Sequence, residues 1–432
     1  MAKRKGAGNG FQLPAFSEPN PNMARQSIFQ GICLVFAASL IFSRFLLTVC
    51  MIGFVALALF DWQPKKGFPL RWNPNLAKGF EVFRTHRALW SISLLFVIVL
   101  LGGLYNEDWQ YYLERLRIKL PFLLLPLVFA ILPTIDKRQY HSILYGFLWM
   151  CFLSCLGVLV NYLLHYDLIL VNISRGQAMP TPINHIRYSL MLAFATLSGF
   201  VLYGKGFYWR FRWERWPLLL ISLGLFGFLH FLSVRSGLIV LYLALGFLLL
   251  RYIYLTRRWR FGLGMMLLLT CLPYLAFQLL PSFRTKYYYA RYDLEMYLRG
   301  EGESYSDSER LLSYQVGWEI FCEHPLIGVG AGDLRQEVAA NYPPDSPHTK
   351  MPHNQLLSVM AGAGVLGLAV FLWVFFTPLF SQHAYRDPIL LILHLVIFLS
   401  FLVENTIENA FGVAFYIFFL LLGWSHWRGT KK

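Results

Sequence analysis

Charged residues are scarce in this chain of 432 amino acids. They make up 14% of the sequence, whereas a soluble globular protein carries about 25%. Hydrophobic residues make up 57%, and the mean hydropathy is +0.49. This composition excludes an ordinary soluble domain and indicates a protein that crosses a membrane several times.

Cysteine and acidic residues are also few. Five of the six cysteines fall in apolar runs and Cys322 stands alone, so we expect neither a required disulfide nor a zinc site. The 38 Lys and Arg outnumber the 23 Asp and Glu, giving a net charge of +15. Because the basic residues lie mainly in short connections between apolar runs, they indicate cytoplasmic loops rather than nucleic-acid binding.

Metal and nucleotide motifs are missing from the sequence. It contains no Asp-x-Asp, no His-Glu-x-x-His and no P-loop. The glycines at 328, 330 and 332 follow a proline rather than a strand, so they resemble a dinucleotide fingerprint only superficially. The acids of the outer loop are scattered, although Glu404 and Glu408 could meet on one helix face. We therefore expect no metal and no cofactor.

Apolar runs of about 20 residues, the length of a spanning helix, recur about twelve times. Only Arg44 separates the first two, so 28–61 could instead be one helix, which would reverse the topology downstream. The basic connections favour twelve spans with both termini in the cytoplasm. The predicted spans are 28–43, 45–61, 88–104, 120–133, 141–164, 186–203, 216–232, 236–252, 261–280, 355–377, 389–403 and 410–425.

These runs predict an all-α polytopic membrane protein with one large periplasmic loop. The polar N-terminal segment lacks the apolar core of a signal peptide and is expected to be a cytoplasmic tail. A loop as long as the outer one is usually functional. The predicted regions are a tail at 1–27, nine spans within 28–280, the loop at 281–354, three spans within 355–425, and a tail at 426–432.

The outer loop carries signs of an amphipathic helix. Ser306 and Glu309 have the spacing of a capping box at a helix start. Apolar residues then recur at helical spacing, and Pro325 predicts where the helix has ended. The expected apolar face comprises Leu311, Tyr314, Trp318, Phe321 and Cys322.

Four cations lie at the outer ends of predicted spans or in the outer loop, namely Arg187, Arg235, Arg310 and His353. An Arg in mid-helix costs about 2.5–3.5 kcal/mol on insertion scales, so cations are not placed near hydrocarbon without reason. Several at one face suggest an anionic ligand, such as a pyrophosphate at the lipid surface. Helix N-termini, where Arg187 and Arg235 fall, also favour anions.

The arginines also have plainer interpretations. Arg235 could be an interfacial arginine whose head group reaches water. Arg310 could be a solvated residue paired with Glu303 or Asp307.

The polar residues around the predicted histidine are open to two interpretations as well. His353 could be bonded to backbone at a helix start, or it could act as a general base near physiological pH. Asn354 and Gln355 could orient it or bind sugar hydroxyls. His185 is expected to be structural, with a supporting role at the site as the alternative.

Three segments resemble the O-antigen ligase family, whose relatives include O-antigen polymerases and protein O-oligosaccharyltransferases. They are SVRSG at Arg235, SERLLSYQVGWEIFCEHPLIGVGAGDL at Arg310 and PHNQLL at His353. The resemblance implies a GT-C-like membrane glycosyltransferase of the bacterial inner membrane, acting in lipopolysaccharide biosynthesis. It implies glycan transfer from undecaprenyl pyrophosphate to a sugar hydroxyl of lipid A–core at the periplasmic face, without a metal.

The resemblance also assigns roles to residues of this chain. Arg235 and Arg310 match the essential outer arginines of the family, and Arg187 has a similar place. They would bind the donor pyrophosphate and stabilise the charge of the leaving group. His353 matches the essential histidine and would take the proton of the acceptor hydroxyl, in an inverting displacement.

Other functions compete with the ligase interpretation. A polysaccharide polymerase would use the same donor with a glycan as acceptor. A protein O-oligosaccharyltransferase is less expected, since those chains carry more outer sequence after the PHN region. A transporter of lipid-linked glycans would place charged or broken helices near the middle of the membrane.

Overall fold

The computed structural model describes residues 21–62, 70–299, 306–344 and 349–430. Long α-helices dominate it, and one pair of short antiparallel strands, β1 (Phe60–Trp62) and β2 (Leu70–Trp72), interrupts them. The helices are α1 (Pro21–Phe42), α2 (Arg44–Leu59), α3 (Leu76–Thr85), α4 (Arg87–Gly102), α5 (Trp109–Ile131), α6 (Lys137–Leu164), α7 (Tyr166–Ser174), α8 (His185–Gly204), α9 (Arg215–Leu232), α10 (Arg235–Thr256), α11 (Trp259–Leu279), α12 (Pro281–Leu298), α13 (Ser306–Glu323), α14 (Leu334–Asn341), α15 (Gln355–Phe380), α16 (Pro388–Phe401) and α17 (Ala410–Gly429).

Eight helices in the described ranges are long and apolar enough to cross a membrane, which confirms an all-α membrane protein. A ninth span is possible if α3 and α4, which are bent by 84°, count together. Each of the twelve predicted runs coincides with a helix, but α2 and α16 are short and the number of spans stays a prediction. The eight are α1, α6, α8, α9, α10, α11, α15 and α17.

The first two helices form an antiparallel pair rather than one continuous helix. Ser43 between them is extended, with φ −159° and ψ 115°. The Arg25 guanidinium at the start of α1 donates to the Leu57 carbonyl near the end of α2, at 2.7 Å. The rings of Phe29 and Phe54 meet edge to face at 5.8 Å. The single-helix alternative for 28–61 is therefore wrong.

The helix ends separate into two groups. We call the end where α2, α5, α8, α10, α15 and α17 begin the site end, and the other the opposite end. Contacts at the site end include that of His353 with Glu404. At the opposite end, Lys205 Nζ lies 3.6 Å from Asp387 Oδ2. All the cations singled out from the sequence lie at or near the site end.

Helix α5 begins eleven residues before the predicted span. The sequence between Trp109 and Leu120 is rich in charge, which hid its helical character. Lys119 Nζ lies 2.7 Å from Glu408 Oε1, and Arg115 donates to the Glu408 carbonyl at 2.8 Å. These charges are paired inside the protein, so the helix can carry them beside the apolar bundle.

The long outer segment is ordered into helices α12, α13 and α14 in its described parts. Helix α13 begins at Ser306 and ends before Pro325, as predicted. Its buried face differs from the predicted one, because Val316 and Ile320 are buried while Leu311 and Trp318 are 39% and 54% exposed. Large apolar side chains beside a membrane need not pack inside the protein, so their spacing alone does not identify the buried face.

The glycine-rich segment has a structural role against a break in α15. Gly364 interrupts that helix with φ +64°, a conformation that favours glycine. The Gly330 amide donates to the Gly362 carbonyl at 3.0 Å, and the Val365 amide to the Pro325 carbonyl at 2.9 Å. A Cβ on Gly328 would lie 2.4 Å from the Ala363 nitrogen. Close backbone packing thus explains the glycine pattern.

Candidate active site

The SVRSG segment forms the sharp turn that presents Arg235. Ser233 is left-handed, with φ 54°, and its hydroxyl donates to the His230 carbonyl at the end of α9. Helix α10 then begins at Arg235 itself. Two residues on, Gly237 packs on α8, where a Cβ would lie 2.4 Å from Ser189 Cβ. The motif therefore holds the start of α10 close to the start of α8.

A buried acid places the start of α13 beside this turn. Asp293 of α12 is fully buried and accepts the Asp307 amide at 2.8 Å and the Ser308 hydroxyl at 3.0 Å. A carboxylate at this position caps the helix and suits its dipole. Glu309 forms an ion pair with Lys350, and the side chain of Ser306 lies outside the described residues. Asp293 thus caps the start of α13, and the predicted capping box of Ser306 and Glu309 stays a prediction.

Asp307 holds two of the predicted cations together. Arg235 makes a bidentate contact with it, in which Nη2 donates to Oδ1 at 3.0 Å and Nη1 bonds the other oxygen. Arg310 Nη1 lies 4.0 Å from Asp307 Oδ1. Two arginines from separate sequence motifs therefore face one carboxylate, whose oxygens occupy the position that phosphate oxygens favour in an arginine fork.

A cavity of about 130 Å³ opens next to this pair, and we call it the cation cavity. Lys286 of α12 lines it and donates to the carbonyls of Gly176 and Gln177, at 3.2 and 2.7 Å. Burial, reinforced by the charge of Arg235, lowers the pKa of Lys286 to about 8, while Asp307 acts to raise it. The side chains that line the cavity include those of His185, Arg235, Lys286, Tyr289 and Arg310.

His353 lies between α13 and the connection from α16 to α17. The Tyr314 hydroxyl donates to its carbonyl at 3.2 Å, and its amide donates to the Ser313 hydroxyl at 3.3 Å. Its Nδ1 lies 3.5 Å from Glu404 Oε2, just outside hydrogen-bond geometry. Among the described residues Nδ1 has no hydrogen-bond partner.

Glu404 connects the cations of the site. It is 5% exposed, and burial acts to raise the pKa of its carboxyl. Contact with His353 and the charges of Arg187 and Arg310 outweigh burial, and the pKa is lowered below its ordinary value. Glu404 is therefore held as an anion within electrostatic reach of three of the four predicted cations.

The two residues after His353 are occupied by structural hydrogen bonds. Asn354 caps α15 by accepting the Leu357 amide at 3.1 Å. Gln355 is fully buried, donates to Glu408 at 2.7 Å and accepts the Ile407 amide at 3.0 Å. They hold the start of α15 against the last connection and so fix the position of His353.

Arg187 is separated from the other arginines. It lines a second cavity of about 280 Å³, the apolar cavity, together with residues of α4, α5 and α15. Its Nε is buried without a hydrogen-bond partner among the described residues. The four cations thus do not meet at one point. Arg235 and Arg310 share the cation cavity, Arg187 lines its neighbour, and His353 contacts Glu404.

Two predictions about acidic residues are wrong. Glu404 and Glu408 lie in the connection between α16 and α17, where Glu408 ends a short 3-10 helix, so they do not share a helix face. The acids of the outer loop are not all scattered, because Glu323, His324 and Glu337 offer ligand atoms within 4.8 Å of one another. This group lies at the end of α13 remote from Arg310.

Asp293, Lys286, Asp307 and Glu404 were missed as site residues. From the sequence, Asp307 stood out only as a possible surface partner of Arg310. Their roles depend on contacts between residues far apart in the chain, for which the sequence has no local pattern. One signal in the sequence could have identified Glu404 as a site residue. It lies between apolar segments, where a carboxylate requires partners.

The helix bundle and its cation-lined site define a multi-pass membrane protein with a cluster of cations at one end. Residues 219–372 match the O-antigen ligase family model, which confirms the resemblance to that family over this part of the chain. Family members are glycosyltransferase-like ligases or polymerases that use lipid-linked glycans and lipid acceptors. The matched range includes Arg235, Arg310 and His353. No curated protein matches the chain.

Proposed function

We propose that this protein is an O-antigen ligase. It transfers a glycan from undecaprenyl pyrophosphate to a sugar hydroxyl of lipid A–core at the periplasmic face of the inner membrane. The observation that carries the proposal is the convergence of Arg235 and Arg310 on one carboxylate beside the cation cavity. A donor pyrophosphate would replace Asp307 between these two guanidinium groups.

On the donor side of the reaction, the protein acts through the positive charge of its side chains. Arg235, Arg310 and Lys286 would neutralise the pyrophosphate and the charge that grows on it as the anomeric C–O bond breaks. The bonding electrons leave with the pyrophosphate oxygen. Fixed cations do this without a metal ion. Arg187 lines the apolar cavity, so we propose that its charge acts on Glu404 rather than on the phosphates.

The acceptor side requires a base. His353 Nε2 takes the proton of the acceptor hydroxyl as its oxygen attacks the anomeric carbon, and a single displacement inverts that centre. Glu404 faces Nδ1 and acts as a positioning residue. It fixes the tautomer that leaves Nε2 free and stabilises the imidazolium that forms.

The test is glycan transfer by purified protein from an undecaprenyl-pyrophosphate-linked donor, with lipid A–core or a free glycan offered in turn. A ligase elongates lipid A–core, whereas a polymerase extends the glycan only. Arg235→Lys and Arg310→Lys keep the charge but lose the planar fork, so both should weaken donor binding more than acceptor binding. Transfer to neither acceptor by a folded, donor-binding protein would refute the proposal.

A further inference from the structure

A third cavity, of about 280 Å³, lies at the opposite end of the bundle. It is bounded by the start of α1, the helix α3, the end of α5 and the end of α17. We propose that this cavity, the basic pocket, binds a phosphate group, carried by an anionic lipid headgroup or by a free phosphate ester. It is separate from the candidate active site and has no part in the proposed reaction.

The charge of the basic pocket is of one sign. Arg25, Lys78 and Arg428 line it, and no acid does so among the described residues. Asp61 attracts Arg25 electrostatically but does not line the pocket. Three cations around one concave site repel one another unless an anion joins them.

Two of these cations have unused hydrogen-bond donors. The Nε atoms of Arg25 and Arg428 are buried and have no partner among the described residues. Arg428 is only 8% exposed, and its guanidinium lies over the Trp424 ring. A guanidinium has five donors in a planar fork that matches phosphate oxygens. Leaving such donors unpaired in a buried position is costly, and a bound phosphate would satisfy them.

A plainer explanation is that the cations stabilise helix C-termini, since α5 and α17 end here. Lys78 does not fit that explanation, because it lies in the first turn of α3. That turn has no acidic residue, and Asn75 makes no side-chain cap hydrogen bond. A cation at an uncapped helix N-terminus is unfavourable alone, whereas an anion would pair with both the Lys78 ammonium and the free amides.

The position of α3 fits a ligand at the membrane surface. The helix is bent by 84° from α4, and its Phe80 side chain is 57% exposed. Gly79 packs against α5, where a Cβ would lie 2.4 Å from Ile131 Cγ1, so this wall of the pocket is fixed. Basic pockets between spanning helices at a membrane face bind phosphate headgroups.

The experiment measures the thermal unfolding of the full-length protein in detergent. Phosphatidylglycerol, phosphatidylcholine and inorganic phosphate are each titrated, and native mass spectrometry counts retained lipids. We expect phosphatidylglycerol to raise Tm and phosphatidylcholine to leave it unchanged. An equal rise with inorganic phosphate alone would assign the pocket to a free phosphate ester rather than to a lipid.

Two variants of α3 separate the site from general attraction. Lys78→Gln should raise the Kd of the ligand that stabilises the protein about tenfold. Arg84→Gln removes the same charge from an exposed position outside the pocket. It should change the Kd of that ligand less than about twofold. Arg428→Gln should weaken binding as Lys78→Gln does, if it folds. The proposal is overturned if no phosphate-containing ligand raises Tm, or if Lys78→Gln and Arg84→Gln weaken binding equally.

Discussion

Arg235 at the start of α10 and Asp307 at the start of α13 form a bidentate ion pair, with Nη2 3.0 Å from Oδ1. Their side chains are 40% and 28% exposed, so solvent reaches the pair. Since Arg310 faces the same carboxylate, Asp307 neutralises the two arginines that the proposed donor would need. The carboxylate is therefore a built-in competitor of the pyrophosphate.

Replacing this competitor should tighten donor binding. Asp307→Asn removes the charge and leaves the size of the side chain unchanged. A partly exposed ion pair contributes little, so we expect the donor Kd to fall about two- to fivefold. Glu309→Gln is the matched control, because it removes the same charge from α13 but disrupts the pair with Lys350. Weaker donor binding in Asp307→Asn would mean that the carboxylate orients Arg235 instead of competing with the donor.

The pair of His353 and Glu404 should act as a unit. His353→Ala should lower kcat about 10²–10⁴-fold with donor binding preserved. Glu404→Gln should lower it about tenfold or more, since a charge-assisted contact to the imidazole is lost. If Glu404 acts through His353, the double variant should be no worse than His353→Ala alone. Additive losses would assign Glu404 a separate role.

Lys286 should make donor binding fall at alkaline pH. Burial beside Arg235 lowers its pKa to about 8, so the free protein loses this charge as the pH rises through that value. A bound pyrophosphate favours the charged amine, so the donor Kd should rise as the pH increases above about 8. Lys286→Arg stays charged and should remove this dependence between pH 7 and 9.5. An unchanged profile in the variant would exclude Lys286 as its source.

Topology can be tested with a native thiol. The charge distribution predicts that 62–87 and 204–215 are cytoplasmic and that 281–353 is periplasmic. Cys322 is exposed on α13, so a membrane-impermeant maleimide should label it in intact cells of a Cys271→Ser variant. A cysteine placed at Tyr208, which is 40% exposed, should react only after lysis. The reverse pattern would contradict the orientation.

The helices and the site were predictable from the sequence to different degrees. Apolar runs identify spanning helices because the membrane requires them locally, so α8 and α15 lie where expected. The predicted span at 120–133 omits the first half of α5, because the sequence there is charged. The partner that allows Lys119 to be buried, Glu408, lies 289 residues away in the chain. Arg235, Arg310 and His353 stand out as cations beside apolar runs. Their anionic partners do not, because only the folded chain brings the acids to them.

Metal independence is the last prediction. The described residues include one group with metal-ligand character, formed by Glu323, His324 and Glu337. Glu323 lies thirteen positions after Arg310 on α13, which corresponds to about 20 Å along the helix. A cation held there could not contact a pyrophosphate beside Arg310. Fixed arginines supply the positive charge instead, so transfer by purified enzyme should be unchanged in excess EDTA.

Glu337→Gln provides the control for this test, since it removes one ligand of that group without touching the cation cavity. It should leave kcat within about twofold of the wild type, because a substitution at a partly exposed position remote from the site has little effect. Magnesium or manganese added after EDTA should likewise change nothing. Loss of turnover in EDTA that either ion restores would show that the arginines alone do not neutralise the leaving group. The same loss in Glu337→Gln would locate the metal at the end of α13.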